Sequence, residues 1–127
     1  MRLLSVPSAM VWLAILILPS FADAADPAAA EAQFNKSCGT CHVAAADAGP
    51  RQGPNLFGVI DRQAGSVPGF TYSPAFVAGE GGIVWDEGTL DRWLTDPQSV
   101  IPGAVMPYKQ ADPDKRKLVI EYLKTRR

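Results

Sequence analysis

The sequence predicts an all-α protein of about four short helices joined by long loops. Three observations carry this expectation. Four segments open with an Asp or Ser cap followed at once or closely by a helical start, three of them with Pro in first position. No stretch alternates apolar and polar residues for long enough to make a strand. Residues 42–72 are rich in Gly and Pro and carry no period at all, including Gly49-Pro50, Gly53-Pro54, Gly58, Gly65 and Pro68-Gly69.

The elements follow in order. Arg2, the apolar run "AMVWLAILIL" (9–18) and the break at Pro19-Ser20 precede Ala22-Asp23-Ala24, a small-x-small cleavage pattern. A spanning helix needs about 20 apolar residues, so residues 1–24 read as a cleaved secretory signal peptide, with a retained anchor as the competing reading. Residues 25–127 then form one domain, exported, to the periplasm if the source is Gram-negative. The first helix starts at Asp26-Pro27 and sets Ala30, Phe34 and Cys38 four apart on one face. The second, "SPAFVAG", starts at Ser73-Pro74 and is expected to end at a left-handed Gly79. The third starts at Asp86, places Leu90, Trp93 and Leu94 at i, i+3, i+4, and stops near Asp96 because Pro97 follows. The last starts at Asp112-Pro113, with an apolar stripe of Leu118, Val119, Tyr122 and Leu123.

The chain holds 12 basic and 13 acidic residues. A field so nearly balanced does not favour nucleic acid or an anionic membrane. Seven of the basic residues lie from Lys109 onward, which reads as a solvated basic helix. A long unstructured stretch inside a small domain counts against compactness, unless the chain wraps something other than itself. A large flat cofactor would supply the missing core.

"SCGTCHVAA", beginning at Ser37, names that cofactor: C-x-x-C-H is the attachment sequence of c-type haem. Cys38 and Cys41 would become thioethers, and His42 would lie under the iron. A redox dithiol needs only C-x-x-C beside a strand–helix unit, absent here. Zinc needs four ligands, and no other Cys or His exists to complete the set. A plain disulfide leaves His42 unexplained. Iron in haem accepts His, Met, Cys or Tyr. With the signal peptide removed, Met106 is the one methionine left, in "IPGAVMPY", and is the inferred distal ligand.

These motifs, with "GPNLFG", "PGFTYS", "WDEGTLDRWLTDP" and "VIEYL", make residues 34–123 resemble the class I c-type cytochromes, the mitochondrial kind and their soluble bacterial relatives. The resemblance implies a small cytochrome c fold wrapped around one covalent haem c. It implies that Pro54 offers its carbonyl to His42, and that Arg62, Tyr72 and Trp85 surround a buried propionate. Leu56, Leu90, Leu94 and Leu123 would line the haem pocket, and Phe34 and Tyr122 would hold the crossing of the first and last helices. Trp93 joins the pocket where the family usually has a tyrosine. Ala104 replaces a threonine, Ala30 a glycine and Phe76 a polar residue, and two residues are inserted between Tyr72 and Trp85.

The function this implies is soluble one-electron transfer between redox partners: a cytochrome oxidase, a reductase complex or a periplasmic dehydrogenase. A monomer is expected, with no nucleic acid and no stable membrane insertion. A dedicated subunit of one periplasmic dehydrogenase remains open. A peroxidase-like enzyme would require Met106 to leave the iron, and the chain offers no distal histidine for acid–base work.

Overall fold

A computed structural model of the chain describes residues 24–127. The signal-peptide reading therefore lies outside the described residues. Five helices follow one another: α1 Pro27–Ser37, α2 Pro74–Gly79, α3 Glu87–Thr95, α4 Pro97–Val100 and α5 Pro113–Lys124. Among the described residues the only pairing of extended chain is an isolated bridge between Gln63 and Val84. No helix among them is long and apolar enough to cross a membrane.

Each start is satisfied as its sequence dictates. The first amides of a helix have no carbonyl four residues back, so a side-chain oxygen must take their place. Asp26 accepts from the Ala28 amide at 3.1 Å, Ser73 from Phe76 at 3.3 Å, Asp86 from Thr89 at 2.7 Å and Asp112 from Asp114 at 3.0 Å. Two expectations need correction. Asp96 does close α3, but in an extended conformation it also caps α4, accepting from the Gln98 amide at 3.0 Å. Pro97 thus opens a helix as well as ending one, and five helices stand where four were expected. Gly79 does not end α2 in a left-handed conformation: Glu80 caps it in the right-handed region, and the positive φ falls at Gly82. What Gly79 provides is room. A Cβ there would sit 2.7 Å from Ile101 Cγ2, and Ile101 is completely buried.

α1 packs across α5, and α3 packs against both α4 and α5. The α1–α5 crossing is held by Phe34 stacked on Tyr122, ring centroids 4.5 Å apart, as expected. Truncating an aromatic as buried as Phe34 to Ala costs about 3–5 kcal/mol. Val119, Ile120 and Leu123 bury the rest of the α5 face, with Leu118 only partly covered. Arg116 Nε meets Asp91 Oδ1 at 2.7 Å and Lys124 meets Glu87 at 3.0 Å, tying α5 to α3 at the rim.

Residues 42–72 are loop, yet they are pinned. Leu56 N–H donates to Val43 and Gly53 N–H to Cys41, both at 2.7 Å. Asn55 Nδ2 donates to the carbonyls of Ala45 and Ala48 at 2.8 Å each, while its Oδ1 accepts from Phe57 N–H at 2.9 Å. One amide side chain thereby closes the loop that leads away from His42.

Candidate functional site

Cys38 caps the C-terminus of α1, its N–H bonded to the Phe34 carbonyl at 2.7 Å. The chain then turns on the Cys38 carbonyl, which accepts from Cys41 N–H at 3.0 Å and His42 N–H at 2.8 Å. The two cysteines are free thiols. Burial, and then the neighbouring Cys41, push the Cys38 thiol up to about 12. A redox dithiol requires a thiolate near neutrality, which this environment disfavours, and among the described residues no group of three or more His, Cys, Asp or Glu could hold a metal ion.

The His42 ring lies across the loop from Pro54, Nδ1 2.9 Å from its carbonyl oxygen. A carbonyl can only accept, so Nδ1 carries the proton and Nε2 keeps its lone pair. Burial lowers the His42 pKa, partly offset by the Pro54 bond, and this favours the neutral ring. The loop can approach so closely because Gly53 has no side chain: a Cβ there would lie 2.2–2.8 Å from three ring atoms.

Arg62 donates to the carbonyls of Phe57 at 2.8 Å and Asn55 at 3.2 Å, leaving Nε buried with no partner. Burial lowers its pKa. Tyr72 accepts from the Val67 amide at 3.3 Å, and burial raises its pKa, the Val67 bond and Arg62 opposing that rise and Glu80 adding to it. Arg62 and Tyr72 are thus neighbours electrostatically. Each is bonded to backbone rather than to the other. Trp85, Leu90, Trp93 and Leu94 are buried, the last three on one face of α3 as expected. Trp85 and Trp93 lie 5.2 Å apart, Phe76 meets Trp93 edge-on at 6.0 Å, and Tyr72 stacks on Phe76 at 4.8 Å. Phe76, named above only as a departure, is the link that joins Tyr72 to both tryptophans. Leu56 and Met106 are partly buried against the core.

Met106 lies on the loop between α4 and α5. Gln98 grips that loop on both edges of its amide, Nε2 donating to the Ala104 carbonyl at 2.5 Å and Oε1 accepting from Gly103 N–H at 2.9 Å. Beyond Met106, Gln110 N–H donates to Leu94 at 2.8 Å and Arg116 donates to the carbonyls of Gln110 and Ala111 at 2.9 Å. Neither Gln98 nor Asn55 was singled out from the sequence. Asn55 is one polar residue in a Gly- and Pro-rich loop and Gln98 one on the short helix α4, and neither gives a further signal.

Comparison with known proteins decides the family. No family model matches the chain. It is 41% identical to "Cytochrome c-550" of Novispirillum itersonii over 77% of this chain and 96% of that protein. It is 40% identical to "Cytochrome c2" of Rhodomicrobium vannielii over 92% of each. The chain belongs to the class I c-type cytochromes. "Cytochrome c" of Chlamydomonas reinhardtii is 39% identical over 81% of this chain and 91% of that protein. Class I cytochromes c carry one covalently bound haem c and transfer electrons; they are not enzymes. The residues present fit that group. Two thiols free of any disulfide adjoin a histidine whose Nδ1 is already bonded to the Pro54 carbonyl. A buried arginine nitrogen also awaits an acceptor, which a propionate would supply.

Proposed function

We propose that this cytochrome is an exported one-electron carrier whose haem is joined through Cys38 and Cys41 and ligated by His42 and Met106. The observation that carries the proposal is the His42–Pro54 bond. It fixes the tautomer, orients the ring and raises the basicity of Nε2, as carbonyl partners do for metal-ligating histidines. When bound, the haem supplies a reversible one-electron change at iron.

The chain does the rest. Gln98 holds the Met106 loop at its base, so the thioether is presented rather than searched for. His42 and Met106 would hold the iron in both oxidation states and would leave no room there for a substrate. Phe76, Trp85, Trp93 and Leu94 exclude water, and a thioether in apolar surroundings favours the reduced state. Arg62, with Tyr72 and Trp85 beside it, offsets the cost of burying a propionate.

We place the mature protein, residues 25–127, in the periplasm as a monomer, exchanging electrons with an oxidase, a reductase complex or a periplasmic dehydrogenase. The N-terminal residue of the secreted protein tests the cleavage. Met106→Ala tests the ligand set. The oxidised protein should show a weak sulfur-to-iron absorption in the red, and the substitution should abolish it, lower the potential and open the iron to cyanide. A band that survives the substitution refutes Met106 as ligand.

A further inference from the structure

A cavity of about 140 Å³ opens between the end of α1, the turn carrying His42 and the C-terminal end of α5. Arg51 and Arg126 line it, together with Asn35 and His42; no Asp or Glu does. Neither arginine forms an ion pair among the described residues. Both are nevertheless fixed. Arg51 donates to the Gly39 carbonyl, and Arg126 Nε donates to Ala44 at 3.2 Å while its guanidinium stacks 4.9 Å above the Tyr122 ring. Each guanidinium has five N–H donors and spends one on its anchor, so the others remain for a guest. Two positive groups held at one cavity without a counter-charge form an anion site. A water's share of volume is about 30 Å³, so the cavity of about 140 Å³ has room for about five waters, or the central atom and four oxygens of one phosphate.

We propose that Arg51 and Arg126 form a binding site for a phosphate-class oxyanion beside His42. Forked donors suit such a group better than point charges do. Because His42 forms part of the wall, the site is coupled to the iron, a consequence that rests on the ligation proposed above. An anion there favours the oxidised state, and by reciprocity oxidation tightens its binding. A threefold preference for the oxidised protein corresponds to a midpoint potential lowered by about 28 mV at saturation, at 59 mV per tenfold for one electron.

The test titrates inorganic phosphate into the haem-loaded protein, oxidised and reduced, with ionic strength held constant by chloride. Amide shifts at Gly39 and Ala45 read binding, and voltammetry reads the potential. The expected result is saturable binding, weakened at least tenfold by Arg51→Gln with Arg126→Gln and partly retained with Lys at both positions. The red sulfur-to-iron band reports that these variants remain folded and ligated, and Arg51→Gln alone serves if the pair does not mature. Sedimentation with phosphatidylglycerol vesicles against phosphatidylcholine vesicles separates a lipid headgroup from free phosphate as the source. Vesicle binding that needs both arginines supports the site even where phosphate alone is weak. Absence of binding to either probe, or binding unchanged in the double variant, overturns it. Arginine-dependent binding with an unmoved potential keeps the site and refutes the coupling through His42, whereas the Met106→Ala spectrum judges the ligand set independently.

Discussion

Gly53→Ala is the sharpest structural test of how the proximal histidine is held. The new methyl carbon would arrive 2.2 Å from His42 Cε1, 2.6 Å from Nδ1 and 2.8 Å from Nε2, where ordinary contact begins at 3.4 Å. Something must therefore move by roughly 1 Å. The loop resists, because Gly53 N–H is bonded to Cys41 and Leu56 N–H to Val43, each at 2.7 Å. If the ring turns instead, its Nδ1–H leaves the Pro54 carbonyl. Overpacking costs about 1–3 kcal/mol, and a buried bond left unmade about 1–3 kcal/mol more. The expected loss is about 2–6 kcal/mol of folding stability. Gly58→Ala is the control: it has a positive φ of 67° but nothing within 4 Å, so only backbone strain of about 1–2 kcal/mol applies. Urea unfolding of both variants, followed by haem absorbance, gives the comparison. The Gly53 variant should also show a raised reduction potential, since a histidine without its carbonyl partner is a weaker donor. Equal stability in the two variants, with an unchanged potential in the first, would falsify the seating of the imidazole against Gly53.

Three further expectations follow from other parts of the structure. Gln98→Ala removes both bonds that grip the Met106 loop; at about 1 kcal/mol each, cyanide should bind the oxidised protein on the order of tenfold more readily, and unchanged cyanide binding would show that the loop needs no such clamp. Asp86 has its pKa lowered by the Thr89 amide first and the Thr89 hydroxyl next. Its contribution is therefore present above the unfolded carboxylate pKa of about 3.9 and is lost as pH falls through the lower folded value. Asp86→Asn, an equally good cap, should leave neutral stability unchanged and flatten the acid limb below about pH 4; a steeper acid limb would contradict this. Lys109 is paired with Asp96 at 3.0 Å, and Val105 beside Met106 is 78% exposed. Electron transfer with a physiological partner should then change little between about 0.01 and 0.2 M salt, a range over which screening lengths shrink severalfold, and a steep fall in rate would reveal charge steering.

The helix starts were legible because a cap and its proline act within one turn. α4 was not, because Asp96 serves two helices and Pro97 looks the same whether it ends one or begins another. Gly79 was misread for a deeper reason. Any glycine can adopt a left-handed conformation, and which one does so depends on its neighbours in space; here Ile101 claims the bare face of Gly79, and the turn passes to Gly82. At the site, Cys38, Cys41 and His42 are legible from spacing alone, because their geometry is a single turn. The Pro54 contact was expected through resemblance and is present at 2.9 Å. Asn55 and Gln98 were invisible, because the carbonyls they bond are brought together only by the folded loops.

The departures from the family's usual residues push the site in one direction. Phe76, Trp93 and Ala104 each stand where a polar side chain is usual, and Phe76 and Trp93 meet edge-on at 6.0 Å beside Trp85. On the proposed ligation, this wall stabilises the less charged, reduced iron. Arg62 on its own adds to that effect as a half-buried cation. Its orphaned Nε argues otherwise, since a buried donor left without a partner is costly unless an acceptor completes it. A propionate held there would offset the arginine's charge and give its Nε an acceptor. Restoring a polar side chain at Phe76 or Ala104 should then lower the potential more than removing a charge at the surface does.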